Sequence, residues 1–344
     1  MKRITIQDIA KELDIAFSTV ARALNDHPAI SDATKKAVRE TAQRLGYRQN
    51  KLASSLRSGH TNTIGIIVPS LDVSFFSSVV HGIEKIMNEN GYSILLYQSN
   101  EAYESEKKGI ETFLNSRVAG IIASVAKETT RYEHYSEIRK RRTPLLFFDR
   151  TIDALPLPSV TIDDYKGGFI ATEHLIRQGY KRIVHITSAQ SLRIFTERLR
   201  GYIDALKLHN LPVDEDLILY GDFSLDYGRQ CVLNLYNRNI DFDAVFALED
   251  YTAMGVLQQL LASGVKVPEE VGVIGFANEA FTALVTPGLS TIDQQTVAMG
   301  EAAAELFLKM LKSEDLYNNL PERVILDPLL IARGSTQRLV PAKQ

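Results

Sequence analysis

Apolar side chains recur at helical spacing in three stretches near the start of the chain. The stretches cover residues 6–13, 17–25 and 31–45. Thr5, followed three residues later by Asp8, has the form of a capping box at the start of the first stretch. Two short helices joined by about three residues and followed by a third predict a helix-turn-helix. A small helical bundle without a role in nucleic-acid binding has the same spacing.

From Thr63 onward, short apolar runs alternate with amphipathic stretches. The apolar runs, typical of buried parallel strands, lie at 63–69, 92–98, 120–124, 145–149, 183–187, 244–247 and 271–276. Helical stretches between them cover about 76–90, 104–116, 165–178, 193–209, 226–238, 250–263 and 296–312. This alternation predicts doubly wound parallel sheets. The number of strands suits two sheets better than one.

Length and composition indicate a globular protein with more than one compact unit. The chain has 344 residues, of which 45% are hydrophobic, and it lacks any apolar run of 18 residues. Polar and acidic residues occur at once near the start, so we expect neither a signal peptide nor a membrane span. Cys231 is the single cysteine, and an internal disulfide is therefore impossible. These features predict a cytoplasmic protein.

The net charge of −3 conceals an uneven distribution of charge along the chain. The first 60 residues hold 11 Lys and Arg against 6 Asp and Glu, whereas the remainder holds 28 against 36. A basic head on an acidic body indicates that the head meets a polyanion.

Three stretches of the head resemble the DNA-binding head of the LacI/GalR family of transcription regulators. They read Thr5-Ile-x-Asp8-Ile-Ala10, Thr19-Val20-x-Arg22-x-Leu24-Asn25 and Arg44-Leu-Gly-Tyr47-Arg-x-Asn50. The resemblance covers nearly all of residues 4–58 and implies that the second helix lies in the major groove of DNA. The chain departs from the pattern at Ala16 and Ala21, where the family usually has Ser, so two phosphate contacts of the family are missing.

The start of the second helix is expected to contact base edges. Phe17 and Ser18 lie at this start, and Arg22 follows one turn later. Arg22 is the candidate for a bidentate contact with guanine, and Phe17 can pack on a thymine methyl group. The other residues expected to contact DNA, with short donors suited to phosphates among them, are Thr5, Thr19, Asn25, Ser31, Tyr47 and Asn50.

Residues 49–60 connect the helix-turn-helix domain, residues 1–48, to the rest of the chain. Their polar segment 50–58 precedes Gly59 and is too short to be stable as an isolated helix. A plain linker has the same composition. The resemblance implies instead a hinge helix that becomes ordered on DNA, where Leu56 inserts between base steps in the minor groove.

The order of strands and helices in the body, residues 61–340, resembles the type I periplasmic-binding-protein fold of the same family. The resemblance implies two lobes, one formed by 61–162 with 292–325 and the other by 163–290 with 326–340. A ligand would bind between the lobes, at the carboxyl ends of the strands.

Residues directly after strand ends are the candidates for this ligand site. Phe75 and Phe76 can stack on a sugar ring or a base, although one of them can equally belong to the core. By resemblance, Arg198 of an Arg-x-x-Gly motif clamps hydroxyls or a carboxylate of the ligand. The other candidates are Ser124, Asp149, Arg150, Phe223, Glu249, Asn278 and Gln294.

One position in the expected ligand site departs from the family pattern. Ala277 stands where the family usually has an Asp that accepts hydrogen bonds from sugar hydroxyls. Arg150, Arg193 and Arg198 are expected nearby. The ligand class therefore stays open between a sugar and a sugar acid.

Three rival classes of protein fit the sequence less well. The common nucleotide-binding, zinc-peptidase and serine-hydrolase motifs are missing, and the histidines lack metal-ligand spacing, so we expect no enzyme, cofactor or metal. A solute receptor for transport would leave the basic head without a role. A constitutive architectural DNA binder would not need the large body. We therefore expect a homodimeric repressor that binds near-palindromic operator DNA and responds to a small ligand.

Overall fold

The computed structural model describes residues 4–24, 26–47, 61–189, 192–313, 317 and 321–338. The chain divides into two compact units, Met1–Thr61 and Asn62–Gln344, here called the head and the body. The predicted hinge helix with Asn50 and Leu56, together with Asn25, lies outside the described residues. The predicted fold class is confirmed, because short helices are followed by an α/β body with parallel sheets.

The described part of the head contains three helices around a small core. They are α1 (Ile6–Leu13), α2 (Phe17–Leu24) and α3 (Asp32–Arg44). Their buried apolar residues are Ile9, Ala10, Val20, Ala23, Val38 and Ala42. At the start of α1, the amide and the hydroxyl of Thr5 both donate to the Asp8 carboxylate at 2.7 Å. Ser31 caps α3 by accepting from the amide of Thr34.

The body contains a six-stranded sheet, a four-stranded sheet and a two-stranded sheet. The six-stranded sheet, with the order β11-β5-β4-β3-β1-β2, comprises β1 (Thr63–Val68), β2 (Ser93–Gln98), β3 (Gly120–Ala123), β4 (Leu145–Phe148), β5 (Ser159–Ile162) and β11 (Arg323–Leu326). The four-stranded sheet, with the order β7-β6-β8-β9, comprises β6 (Ile183–Thr187), β7 (Ile218–Tyr220), β8 (Ala244–Ala247) and β9 (Gly272–Ile274). Neighbouring strands in both sheets are parallel. The antiparallel pair is β10 (Thr291–Asp293) and β12 (Leu329–Ile331).

Helices connect the strands of both large sheets, as the alternating pattern predicts. They are α4 (Ser74–Glu89), α5 (Tyr103–Asn115), α6 (Glu133–Lys140), α7 (Asp164–Arg177), α8 (Arg193–Leu208), α9 (Leu225–Asn237), α10 (Asp250–Ala262) and α11 (Thr296–Lys312). The sequence pattern did not predict α6, β5, β7, β10, β11 or β12, since such short elements hold too few apolar positions to show a period. Within the described residues, no helix has the length and apolarity that a membrane span requires.

The six-stranded sheet with its helices is here called the first lobe of the body, and the four-stranded sheet with its helices is called the second lobe. The chain leaves the first lobe after β5 and enters α7 at Asp164. It returns through β10 to α11 and β11, and then continues to β12. The carboxyl ends of the parallel strands, where such folds bind ligands, thus come from two different sheets.

Helices α4 and α11 approach closely at two glycines. A Cβ atom on Gly82 would lie 2.4 Å from the carbonyl oxygen of Val297. A Cβ atom on Gly300 would lie 2.1 Å from the carbonyl oxygen of Val79. Both obstacles are backbone atoms, so a side-chain rotation cannot relieve the clash.

The substitution Gly300→Ala is therefore expected to lower the free energy of unfolding by about 1–3 kcal/mol through overpacking. The better helix propensity of Ala, worth roughly 1 kcal/mol, offsets only part of the strain. Urea unfolding measures the change. The control Glu305→Ala, at an exposed position of the same helix, should stay within about 0.5 kcal/mol of the wild type. Equal stability of both variants would contradict the close approach.

Candidate functional site

Helix α2 has one face in the core of the head and the opposite face exposed. Val20 and Ala23 are buried, whereas the Phe17 side chain is 63% exposed. Ser18 and Arg22 are exposed beside it. The structure thus brings the three predicted base-contacting residues together on one surface of the head.

The guanidinium group of Arg22 is not engaged in an ion pair with any described residue. By contrast, Arg39 pairs with Asp26, and Arg44 lies 2.5 Å from Glu12. A bidentate contact with a base needs an unpaired guanidinium group. Among these three arginines, Arg22 therefore suits base recognition best.

The predicted phosphate-contacting residues occupy helix starts and ends of the head. Thr5 and Ser31 are exposed at the N-caps of α1 and α3, where backbone N–H groups favour a phosphate. Thr19 is partly exposed on α2, and Tyr47, after α3, is partly buried against the head core.

A cavity of about 250 Å³, here called the cleft cavity, lies between the two lobes of the body. Eight of the ten predicted ligand residues line it, namely Phe75, Phe76, Asp149, Arg150, Arg198, Phe223, Glu249 and Gln294. Ser124 is fully buried and does not line it. The side chain of Asn278 bonds to Asp293 and Arg333 instead. Arg193, which was expected nearby, pairs with Asp153 and does not itself line the cleft cavity.

Nine further residues line the cleft cavity without having been predicted as ligand residues. They are Val73, Glu101, Lys127, Ile194, Phe195, Leu248, Tyr251, Ala277 and Glu279. Glu101, Lys127 and Glu279 follow strands β2, β3 and β9 by three to five residues. A search of whole loops after strand ends, and not only of their first residues, would have found these three.

Arg198 is 5% exposed and is fixed by contacts on several sides. Its Nε donates to Asp164 at 2.8 Å, and its Nη1 donates to the carbonyl oxygen of Leu248 at 3.0 Å. Its Nη2 donates to Oε1 of Gln294 at 3.3 Å. The guanidinium carbon also lies 3.7 Å from the centroid of the Phe276 ring. The guanidinium group has five N–H donors, so two remain after these bonds for a ligand.

The cations of the first lobe face carboxylates of the same lobe. Nη1 of Arg150 lies 3.0 and 2.8 Å from the two carboxylate oxygens of Glu101. Nε of Arg150 lies 3.7 Å from Asp149, whose pKa is raised to about 6 by burial against the lowering effect of Arg150. Nζ of Lys127 lies 3.9 Å from Glu101 and 4.9 Å from the centroid of the Phe223 ring, which belongs to the second lobe.

The second lobe contributes three carboxylates near the cavity. Glu249 caps α10 by accepting from the amides of Tyr251 and Thr252. Asp250 is fully buried and accepts from the Thr291 hydroxyl at 2.7 Å, and burial raises its pKa to about 7. The hydroxyl of Ser74, in the first lobe, donates to Oε2 of Glu279 at 2.6 Å. This bond and the contact of Lys127 with Phe223 connect the lobes across the cavity.

His185 and Cys231 are buried and neutral. His185 stacks between Tyr202 and Phe246, and burial lowers its pKa to about 3. Burial also raises the pKa of the Cys231 thiol to about 11, which agrees with a role as a small helix residue. A cluster of three potential metal ligands does not occur among the residues that the structure describes.

Comparison with known proteins places both parts of the chain in one family. Residues 5–50 match bacterial regulatory proteins of the lacI family, and residues 61–322 match periplasmic binding proteins and the sugar-binding domain of the LacI family. The chain belongs to the LacI family. The resemblance seen in the sequence is thereby confirmed, and this LacI-family protein is a DNA-binding transcription regulator.

Curated relatives span almost the whole of this LacI-family protein. It is 32% identical to catabolite control protein A of Priestia megaterium, over 93% of this chain and 97% of the relative. It is 30% identical to the transcriptional repressor CytR of Escherichia coli K12, over 97% of each chain.

Solved structures agree with the same assignment. The complex of the transcriptional regulator CelR with cellobiose has a TM-score of 0.73 and 27% identity, covering 97% of this chain and 100% of that one. The lac repressor dimer bound to operator and an anti-inducer has a TM-score of 0.84 and covers 97% and 99% of the two chains. Its identity of 23% supports the fold alone.

Replacement of Arg198 by Leu is expected to destabilise the body by about 3–5 kcal/mol, because it leaves Asp164 buried without its cation. The double variant Arg198→Leu/Asp164→Asn should lose less than the sum of the two single losses. Urea unfolding of the wild type, the two single variants and the double variant gives the coupling energy between Arg198 and Asp164.

The loss in Arg198→Leu should also be smaller at about pH 5 than at about pH 8. Burial already raises the pKa of Asp164, and removal of Arg198 raises it further. A carboxylate with a raised pKa in the folded state contributes stability at low pH that disappears as the pH rises. Additive losses, or a loss independent of pH, would contradict the assigned ion pair.

Proposed function

We propose that this LacI-family protein is a homodimeric repressor that reads a near-palindromic operator and binds a carbohydrate in the cleft cavity. The exposed face of α2 carries the proposal, since an exposed Phe17 lies beside Ser18 and beside Arg22, which forms no ion pair with a described residue. The relative CytR is named a repressor. We further propose that the protein acts in the cytoplasm, without catalysis and without a cofactor.

In this proposal, α2 lies in the major groove and supplies the sequence readout. Arg22 donates two hydrogen bonds to guanine, and Phe17 packs on a thymine methyl group. The residues proposed to position the head, mainly by phosphate contacts, are Thr5, Thr19, Asn25, Ser31, Tyr47 and Asn50. Leu56 is proposed to insert into the minor groove at the centre of the operator.

A carbohydrate suits the cleft cavity because aromatic rings and hydrogen-bonding groups line it together. Phe75 and Phe76 come from the first lobe, and Phe195, Phe223 and Tyr251 come from the second. Aromatic faces stack on sugar rings, while the two remaining N–H groups of Arg198 can donate to hydroxyls. The relative CelR is named as a complex with cellobiose.

The coupling between ligand and DNA is proposed to run through Arg198. Its guanidinium group bonds Asp164, at the first crossing between the lobes, and Gln294, directly after β10 on the way back to the first lobe. A ligand that engages the same guanidinium group therefore acts on two connections between the lobes at once. A change in lobe orientation would alter hinge pairing and operator affinity, with a coupling of about 1–3 kcal/mol being typical.

To test sequence recognition by α2, operator duplexes are first selected from a random library with the full-length protein. Fluorescence anisotropy then compares Arg22→Ala and Phe17→Ala with the wild type on the selected operator and on a scrambled duplex. Arg22→Ala should lose about 1–3 kcal/mol on the operator and relax specificity at one position of each half-site. Both residues are exposed, so the thermal stability of the head should hold.

The control for loss of one positive charge is Lys36→Ala, at an exposed position on α3. It should weaken binding to both duplexes by a similar, small factor. The proposal fails if the selection yields no preferred sequence, or if Arg22→Ala weakens operator and scrambled duplex equally.

A further inference from the structure

The cations that line the cleft cavity are already matched by carboxylates of the protein. Arg150 and Lys127 face Glu101 and Asp149 in the first lobe. Arg198 pairs with Asp164 at 2.8 Å. These three cations and three carboxylates therefore compensate one another. An anionic ligand would have to compete with carboxylates that are in place, so the arrangement does not favour a sugar acid.

The carboxylates of the second lobe have no such match. Glu279 is 7% exposed and lines the cavity, and its Oε2 accepts a hydrogen bond from the neutral hydroxyl of Ser74. It forms no ion pair with any residue that the structure describes. Among the described residues, Glu249 receives only amide and hydroxyl hydrogen bonds, although the N-terminus of α10 offsets part of its charge. A buried carboxylate without a cation is costly, and a cationic ligand would remove that cost.

Electrostatic coupling among the carboxylates of the second lobe also favours a cationic ligand. The pKa of Glu249 is raised by burial and, to a smaller extent, by the charge of Glu279. Asp250, behind them, feels both neighbours as well. In this group of carboxylates, each negative charge therefore raises the cost of ionising its neighbours.

The loop after β9 determines which side chain reaches the cavity at this point. Ala277 lines the cavity with a φ of 131°, a conformation that L residues rarely adopt, and it offers no side-chain acceptor. Asn278 turns away to Asp293 and Arg333. The amide of Glu279 donates to Asp250 at 2.8 Å, which holds its backbone beside the cavity. The carboxylate that this loop presents to the cavity is therefore that of Glu279.

We propose that the ligand of the cleft cavity is a sugar-sized polyol that carries a protonated amine, and that Glu279 binds the ammonium group. The inference rests on the proposed function, because it specifies the ligand of the same cavity. Glu249 and the face of Tyr251 complete the cationic end of the site, since aromatic faces attract cations. The hydroxyl groups of the ligand face Arg198 and the aromatic rings of the first lobe.

The test uses the full-length protein at neutral pH and calorimetric titration with three matched series of sugars. The amine probes are D-glucosamine, D-galactosamine and D-mannosamine. Each is compared with its neutral parent hexose and with the corresponding uronate. At least one amine should bind at least about tenfold more tightly than its own parent, which corresponds to about 1.4 kcal/mol, and the uronates should bind most weakly.

The variant Glu279→Gln keeps the size of the side chain and a group that can bond Ser74. It should reduce the preference for that amine over its parent to less than about threefold, while binding of the parent changes little. The control Glu128→Gln removes one exposed carboxylate of the first lobe outside the cavity, and it should leave the preference intact. Operator binding by both variants verifies that each is folded.

The inference is overturned if a parent hexose or a uronate binds as tightly as every amine, if none of the amines binds, or if Glu279→Gln retains the preference. A neutral hexose that binds as tightly as every amine and alters operator affinity would overturn the inference and leave the proposed function intact. Tight amine binding by a protein without a preferred operator would support the inferred ligand and contradict the proposed function.

Discussion

The ion pair between Arg198 and Asp164 is the interaction on which the arrangement of the body depends. Asp164 begins α7, directly after the chain leaves the first lobe, while Arg198 belongs to the second. The same guanidinium group reaches Gln294, at the start of the return path. Burial makes this pair costly unless every hydrogen bond is satisfied, so the positions of both crossings are tied to one side chain. Since that side chain also lines the cleft cavity, a ligand there can contact the residue that connects the two crossings between the lobes.

The rest of the cavity follows from the distribution of charge between the lobes. The first lobe matches its cations with its own carboxylates, whereas Glu279 and Glu249 of the second lobe form no ion pair with a described residue. Contacts across the cavity are few and polar, and they join Ser74 to Glu279 and Lys127 to Phe223. Contacts of this kind exchange readily for contacts with a ligand, because they bury little apolar surface. A ligand in the cavity can therefore replace contacts that hold the two lobes in their present orientation.

Much of this account could be predicted from the sequence, because hydrophobic periodicity is a property of local segments. The main helices and buried strands followed from it, and the rule that ligands bind at strand ends identified positions such as Asp149 and Phe223. The rule failed where the backbone turns side chains away. Asn278, with a φ of 58°, follows Ala277 in a second left-handed conformation, and this directs its amide to Arg333. Lys127 and Glu279 were missed because loop geometry, which has no period, brings them back to the cavity.

The central claim is that occupancy of the cleft cavity changes operator affinity. The most direct measurement is the dissociation constant of the selected operator, by fluorescence anisotropy, with and without a saturating concentration of a sugar that raises the unfolding temperature of the protein. The account predicts a change of roughly 5- to 150-fold, and the operator should change the affinity for the sugar by the same factor. An operator affinity that stays the same when the cavity is saturated would contradict it.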